Sequence, residues 1–205
     1  MHNYLMDAAL KYYLFYKPCK VLTQFSAQED KKTLADFFKN IPKDVYPVGR
    51  LDYDSEGLLL LTNDKQLNHR LLHPMFIHER EYWVQVEGEA SHQHLQALQK
   101  GVLIKVEGEN YRTKPAIAKI LSAPQVPERE PPIRFRKNSP TSWLSLTIKE
   151  GKNRQVRKMT AAVNLPTLRL LRYRIGAVTL EGMQVGEIRE VNQQITDLLF
   201  QKSST

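Results

Sequence analysis

Gly49-Arg50-Leu51-Asp52-Tyr53-Asp54-Ser55-Glu56-Gly57, running straight into Leu58-Leu59-Leu60-Leu61-Thr62-Asn63-Asp64, is the stretch whose reading decides the fold. Four consecutive leucines bounded by Gly57 and by Asn63-Asp64 read as a strand buried on both faces, although periodicity alone also admits a buried helix. The polar turn ahead of it carries three carboxylates (Asp52, Asp54, Glu56) and one arginine. A loop held by a buried strand is where reactive side chains tend to sit. Short acidic turns are also common as plain solvated connections, and spacing alone favours that reading until the rest of the chain is considered.

Upstream of the turn, residues 12–16 have strand-forming composition and stop at Lys17-Pro18. Asp30 is expected to open a helix over residues 31–39, with Leu34, Phe37 and Phe38 on its buried stripe. Downstream, Asn63 or Asp64 caps a helix whose apolar side is Leu67, Leu71 and Leu72, closed by Pro74. Residues 82–88 alternate as a strand, and Ser91 caps a helix with Leu95 and Leu98 inward and Gly101 as its stop. Residues 102–106 and 111–121 read as a hairpin around Glu107-Gly108-Glu109-Asn110. Five prolines and four basic groups exclude regular structure over most of residues 122–140. Residues 143–148 form a strand with Trp143 in the core. Asn153 caps a helix with Val156, Met159 and Val163 inward, and residues 168–171, 176–180 and 187–191 supply the last strands. Strands outnumber helices without alternating strictly with them, which predicts an α+β fold with a mainly antiparallel mixed sheet and flanking helices. The expected division is a lead-in over residues 1–10, one catalytic domain over 11–192 and a short helical tail over 193–205.

At 205 residues, 41% hydrophobic and 25% charged, the composition is that of an ordinary soluble globular protein. A single cysteine, Cys19, rules out an intrachain disulfide, and no apolar run is long enough to span a bilayer, so the chain reads as cytoplasmic. The net charge of +8 is regional. Residues 129–174 hold twelve Lys/Arg against two acids, while the remainder carries eighteen basic and twenty acidic groups. A segment of +10 beside a remainder of −2 suits a surface that meets a polyanion.

Metal chemistry finds no support. His69 and His73 are four apart without the glutamate of a zincin helix, and His92 and His94 are two apart, so they do not face each other. No phosphate-binding glycine loop or dinucleotide fingerprint is present, so no cofactor is expected. Cys19 lacks a histidine partner and is expected to pack rather than react. Three elements are left: the Arg50/Asp52 turn, Tyr82 at a strand start, and Glu150-Gly151-Lys152-Asn153-Arg154-Gln155-Val156-Arg157-Lys158-Met159.

In this order the three resemble the motifs of pseudouridine synthases of the RsuA type. Gly49-Arg50-Leu51-Asp52 with Ser55-Glu56-Gly57-Leu58-Leu59 resembles the family's catalytic motif, and Lys17-Pro18 with Val21-Leu22 its first motif. The segment from Glu150 to Met159 resembles the later motif, followed by Leu170-Leu171-Arg172 and Ile175-Gly176. Pro131-Pro132-Ile133-Arg134 with Lys137, and Pro166-Thr167-Leu168-Arg169-Leu170, resemble the branch that acts on the large ribosomal subunit. The resemblance runs from about residue 12 to residue 191 and implies the pseudouridine synthase catalytic fold, two sublobes around a central cleft. It also implies a chain without the S4-type RNA-binding domain of most relatives.

The implied activity converts a uridine of 23S ribosomal RNA, or of its assembly intermediate, to pseudouridine. The enzyme would be monomeric, with no small-molecule cofactor, no metal and no membrane partner. The resemblance assigns Asp52 as the catalytic carboxylate, Arg157 as its ion-pair partner and Tyr82 as the active-site tyrosine that stacks on the base. Substrate contacts fall to Arg50, Lys17, Lys152, Asn153, Arg154, Gln155, Arg172 and Ile175. Asp52 can be cast as attacking C1′, attacking C6 of the ring or assisting an elimination, and all three remain open. Two rivals are an RNA-binding module with a vestigial site and a glycoside hydrolase pairing Asp52 with Asp54 or Glu56. Asp54 and Glu56 are otherwise read as loop structure, holding backbone NH groups or Arg50. The RNA-inserting loop is left between residues 122–140 and 65–80.

Overall fold

All seven residues of Glu56–Thr62, the leucine strand, are buried. Leu58 and Leu60 face one apolar cluster with Tyr12 and Leu14, while Leu59 and Leu61 face another with Phe15, Leu34 and Phe38. That two-sided burial is why the run does not alternate. The computed structural model describes residues 9–122, 124–133 and 139–201. In chain order the elements are β1 (Tyr12–Lys17), β2 (Val21–Leu22), β3 (Lys32–Thr33), β4 (Tyr46–Pro47), β5 (Glu56–Thr62), α1 (Lys65–Leu72), β6 (Arg80–Glu87) and α2 (His92–Lys100). There follow β7 (Leu103–Val106), β8 (Glu109–Arg112), β9 (Ile117–Leu121), β10 (Thr141–Ile148), α3 (Gln155–Ala162), β11 (Thr167–Ile175), β12 (Val178–Thr179), β13 (Ile188–Val191) and α4 (Ile195–Leu198).

A nine-stranded mixed sheet runs β13-β1-β5-β11-β6-β10-β9, with β4 on β5 and β12 on β11. Its ladders are antiparallel except β5 with β11. On one sublobe, Val84, Val86, Leu144 and Leu146 pack with Leu98 of α2 and Met159 of α3. The clusters around β1 and β5 form the other. The two meet where β5 and β11 pair, through only Leu171 with Glu56 and Arg172 with Gly57. Gly57 is required there. Its φ is +113°, and a Cβ would lie 2.4 Å from the carbonyl oxygen of Arg172. Beside it, the Glu56 carboxylate accepts from Arg169 Nε at 2.9 Å and Nη2 at 2.7 Å, both side chains buried. Arg169 Nη1 also donates to the carbonyl of Pro127 at 2.8 Å.

The structure corrects several expectations. Residues 31–39 are not an α-helix but β3 followed by a 3₁₀ turn, Leu34–Asp36. The Thr33 NH goes to the Asp36 carboxylate (2.7 Å) and the Leu34 NH to the Gln24 carbonyl (2.9 Å), so the turn is satisfied locally and across the chain. Leu34 and Phe38 are buried all the same. Residues 111–121 are two strands rather than one, parted at Thr113, which returns to Val102 through backbone (2.9 Å) and hydroxyl (3.0 Å) bonds. Trp143 is half-buried rather than core, with the Arg169 guanidinium 6.0 Å above its ring. Leu72 is exposed although Leu67 and Leu71 are buried. Glu56 holds Arg169, not Arg50 or backbone NH groups. At the chain's end, Ile195 and Leu199 are buried, and Gly176 fits directly under the carbonyls of Leu198 and Leu199. Residues 1–8, Arg134, Arg136, Lys137 and 202–205, on which parts of the sequence reading rest, lie outside the described residues.

Removing one partner of a buried ion pair strands the other charge. Glu56→Ala is therefore expected to lower stability to urea by about 3–5 kcal/mol. A loss of under about 1 kcal/mol would contradict a junction held by this pair.

Candidate active site

The turn ahead of β5 is fastened from four sides. The Thr23 hydroxyl donates to the Leu51 carbonyl (2.7 Å) and accepts from the Leu51 NH (3.3 Å), while Leu51 itself is buried. Lys20 NH reaches the Tyr53 carbonyl at 2.7 Å, and Ser55 NH closes a turn onto the Asp52 carbonyl at 3.0 Å. Arg157 Nη2 donates to the Asp54 carbonyl at 2.9 Å. A loop held by so many backbone anchors presents its side chains in one arrangement.

Asp52 and Asp54 point toward the start of α3. Arg154 Nη1 lies 3.3 Å from Asp52 and 3.1 Å from Asp54, and its Nη2 lies 3.0 Å from Asp54. Arg157 forms its ion pair with Asp54, at 3.3 Å. The expected partnership of Arg157 with Asp52 is thus redistributed: Arg154 holds Asp52, and Arg157 braces the loop two residues further on. Burial opposes the charge on Asp54, but the Arg154 hydrogen bonds and the charges of Arg157 and Arg154 hold its carboxyl below the usual range.

Arg154 reaches this position because the chain turns sharply there. It occupies the helix N-cap with φ +51° and ψ +34°, in place of the capping Asn153 expected from sequence. No side chain caps the helix at that position. Gln155 supports the turn instead, its Oε1 accepting from Lys152 NH (2.9 Å) and its Nε2 donating to Glu150 (2.7 Å). The Glu150 carboxylate also takes the Tyr111 hydroxyl and the Lys114 NH. Gln155 is buried, so it shapes the turn rather than standing free at the surface.

A cleft of about 1040 Å³ opens over these groups. Arg50, Asp52, Tyr82, Lys152, Asn153, Arg154, Gln155, Arg172 and Ile175 all line it. Lys17 does not. It is fully buried, and its ammonium donates to the carbonyls of Pro18 (2.9 Å) and Val21 (2.8 Å), which corrects its expected role as a substrate contact. Burial pushes the Lys17 pKa down to about 8. Arg157 also stands behind the lining. Cys19 is buried with its thiol 3.9 Å from the Asp54 carbonyl, a packed residue.

The structure adds lining residues that the sequence did not mark, above all His78 and Arg80. Arg80 was findable, because it stands two before Tyr82 on an alternating strand and so shares its face. His78 carries no such signal. The segment from Leu71 to His78 borders the cleft with Leu72, Met75, Phe76 and Ile77 exposed. The described part of the proline-rich loop lies elsewhere. Its Pro127 carbonyl binds Arg169, which pairs opposite Gln85 on the face of β6 away from Tyr82. Of the basic segment, Arg169, Arg172 and Arg174 are buried, so the polyanion-facing charge is smaller than the sequence count. Among the described residues no group of three or more His, Cys, Asp or Glu could hold a metal ion, and no helix is long and apolar enough to cross a membrane.

A motif-bearing loop on a buried strand, a tyrosine and a basic helix start line one cleft, and the family model of RNA pseudouridylate synthases matches residues 11–162. The chain belongs to that family and is an RNA pseudouridine synthase. It is similar to ribosomal large subunit pseudouridine synthase E of Xanthomonas axonopodis pv. citri, 53% identical over 173 residues that cover 83% of this chain and 88% of the relative. The Vibrio parahaemolyticus protein of the same name is 49% identical over 182 residues, covering 88% and 74%. A solved pseudouridylate synthase superposes with a TM-score of 0.76 at 30% identity, covering 93% of this chain and 74% of its own.

Burial, reinforced by the charges of Arg80 and Arg172, pushes His78 down to about 4. Folded His78 is therefore neutral where the unfolded chain takes up a proton, so its contribution is intact above about pH 6.5 and lost as pH falls toward 4. Unfolding free energies between pH 5 and 6.5 should decline by up to about 1.4 kcal/mol per pH unit from this group. His78→Gln should flatten that decline, and identical slopes in both proteins would contradict a buried neutral imidazole.

Proposed function

We propose that this protein converts a uridine of large-subunit ribosomal RNA, free or in an assembly intermediate, to pseudouridine with Asp52 as the acting carboxylate. The observation that carries this reading is the side chain of Asp52, fixed by a loop anchored to Thr23, Lys20 and Arg157 and opening into the same cleft as Tyr82. The similarity to ribosomal large subunit pseudouridine synthases supports the substrate.

The reaction breaks the N1–C1′ bond, turns the uracil and rejoins it through C5, with the C5 proton lost and one gained at N1. The base must leave its stack to be reached. Tyr82 offers a ring for the extruded uracil and a hydroxyl for proton transfer at C5, with Ile175 on the neighbouring strand as an apolar residue lining the same cleft. Asp52, 3.3 Å from Arg154 Nη1, is placed to attack the nucleotide or stabilise it once the base is bound. Exposed Arg50, Lys152 and Arg154 at the cleft mouth meet phosphates, and Arg154 can exchange the aspartates for a phosphodiester on binding. Arg157, Gln155 and buried Lys17 position the loop and the helix start. Glu56 is locked to Arg169 inside the sheet, which removes it as the second acid of a hydrolase. The protein is read as a cytoplasmic monomer needing neither metal nor cofactor.

Asp52→Asn should lose all conversion of uridine in extracted large-subunit RNA while binding that RNA as the wild type does. Retained conversion would remove Asp52 from the chemistry. Wild-type affinity should fall linearly on a logarithmic salt scale, and Lys152→Gln or Arg50→Gln should each reduce the slope by about 1. Slopes unchanged in both variants would place the phosphate contacts elsewhere.

A further inference from the structure

Five arginines point into or under the central sheet and cleft, and they are treated in two ways. Arg169 is neutralised by Glu56, and Arg174 by Glu81 at 2.9 Å and Glu79 at 3.5 Å. Arg157 has Asp54. Arg80 and Arg172 have no carboxylate among the described residues. Arg172 is 5% exposed, and its Nε donates to the Leu58 carbonyl at 2.8 Å while its Nη2 is buried without a hydrogen-bond partner. The Nε of Arg80 is also buried without a partner. The two residues belong to one patch. Arg172 pairs across the ladder with Tyr82, and Arg80 stands two residues before Tyr82 on the same face of β6. All three line the cleft, and Gly151 leaves room for Arg80, since a Cβ there would lie 2.9 Å from its guanidinium.

Two adjacent guanidinium groups without counter-charge, one of them almost wholly out of water, are costly unless something anionic joins them. His78, the third basic group of the patch, offers no negative charge and is itself held neutral by burial and by these two arginines. The anion must therefore arrive with the substrate.

We propose that Arg80 and Arg172 are catalytic residues that stabilise negative charge on the uracil ring oxygens while the glycosidic bond is broken. This rests on the synthase reading above. Heterolysis of N1–C1′ leaves the electron pair on the ring as a uracilate anion, its charge shared among N1, O2 and O4. Attack of Asp52 at C1′ forms a C1′–O bond as this pair departs. Attack at C6 instead moves a ring electron pair toward C5 and O4, and an elimination also releases the base as an anion. On each route the ring oxygens carry the developing charge, and donors preset in a buried site stabilise it most. Bonding of C5 to C1′, with release of the C1′–O bond where Asp52 had formed one, neutralises the ring. A base then takes the C5 proton and N1 takes one up, which leaves pseudouridine and a free Asp52 carboxylate. Depth separates this site from a phosphate clamp. Arg172 lies on the floor beside Tyr82, where the extruded base sits, whereas the exposed Arg50, Lys152 and Arg154 hold the mouth, where the backbone passes.

The test is single-turnover conversion of large-subunit RNA extracted from cells lacking the protein, with enzyme in excess, for wild type, Arg80→Gln and Arg80→Lys. Arg80 is half-buried and has no partner to strand, and thermal melting checks that each variant is folded. Arg80→Gln should slow the saturated rate about 100-fold with RNA half-saturation and salt slope unchanged. Arg80→Lys should recover part of that rate. A variant that reaches the wild-type rate only at higher enzyme concentration and shows a shallower salt slope would mean a phosphate clamp, and the proposal fails. An unchanged rate and affinity also overturns it. Wild-type protein that converts no uridine would instead overturn the synthase reading on which this one stands.

Discussion

The two halves of the sheet are joined at one narrow place, the parallel pairing of β5 with β11 through Glu56 and Gly57. Everything functional hangs from it. Glu56 and Arg169 lock the strands laterally, and Gly57 lets the backbone of Arg172 approach more closely than any side chain would permit. The acidic turn ends where this junction begins, and Arg172 leaves it toward the cleft floor. A shift of the junction would move the carboxylate loop and the floor relative to each other. Misplacement on the order of 1 Å is enough to cost catalysis about 100-fold.

Charge is distributed according to depth. Inside the sheet, arginines are matched by glutamates: Arg169 by Glu56, Arg174 by Glu79 and Glu81. At the mouth, arginine and aspartate pair in a solvated setting where Coulomb energy is modest and easily exchanged. Arg154 there holds Asp52 and Asp54 together while remaining exposed enough to meet a phosphate. Between the two layers lie Arg80, half-buried, and Arg172, buried, each with an unpartnered guanidinium nitrogen and without a carboxylate among the described residues. A site that breaks a bond to a leaving anion has a use for charge held in that layer.

The fold class, the buried leucine strand and the residues of the acidic turn were legible because each rests on a local signal. The Leu58–Leu61 run carries its own burial, Asp64 and Ser91 stand at the starts of helices, and Gly101 at the end of one. What was not legible depended on partners distant in sequence. The apolar stripe of Leu34, Phe37 and Phe38 fits a helix, but Asp36 and Gln24 take the backbone donors and leave a single turn. Lys17 looks like a surface cation until β1 is placed and its ammonium is found under Pro18 and Val21. The partners of Glu56 and Asp52, 113 and 102 residues away, could not be read from the acidic turn itself. Likewise, a +10 count does not reveal that Arg169, Arg172 and Arg174 are interior.

The most direct test of the central claim is a pseudouridine map of ribosomal RNA from cells with and without this protein. A large-subunit uridine should remain unmodified in its absence, and modification should return when the wild-type chain is supplied. An unchanged map would contradict the assignment of large-subunit RNA as the substrate and leave the cleft without its proposed reaction.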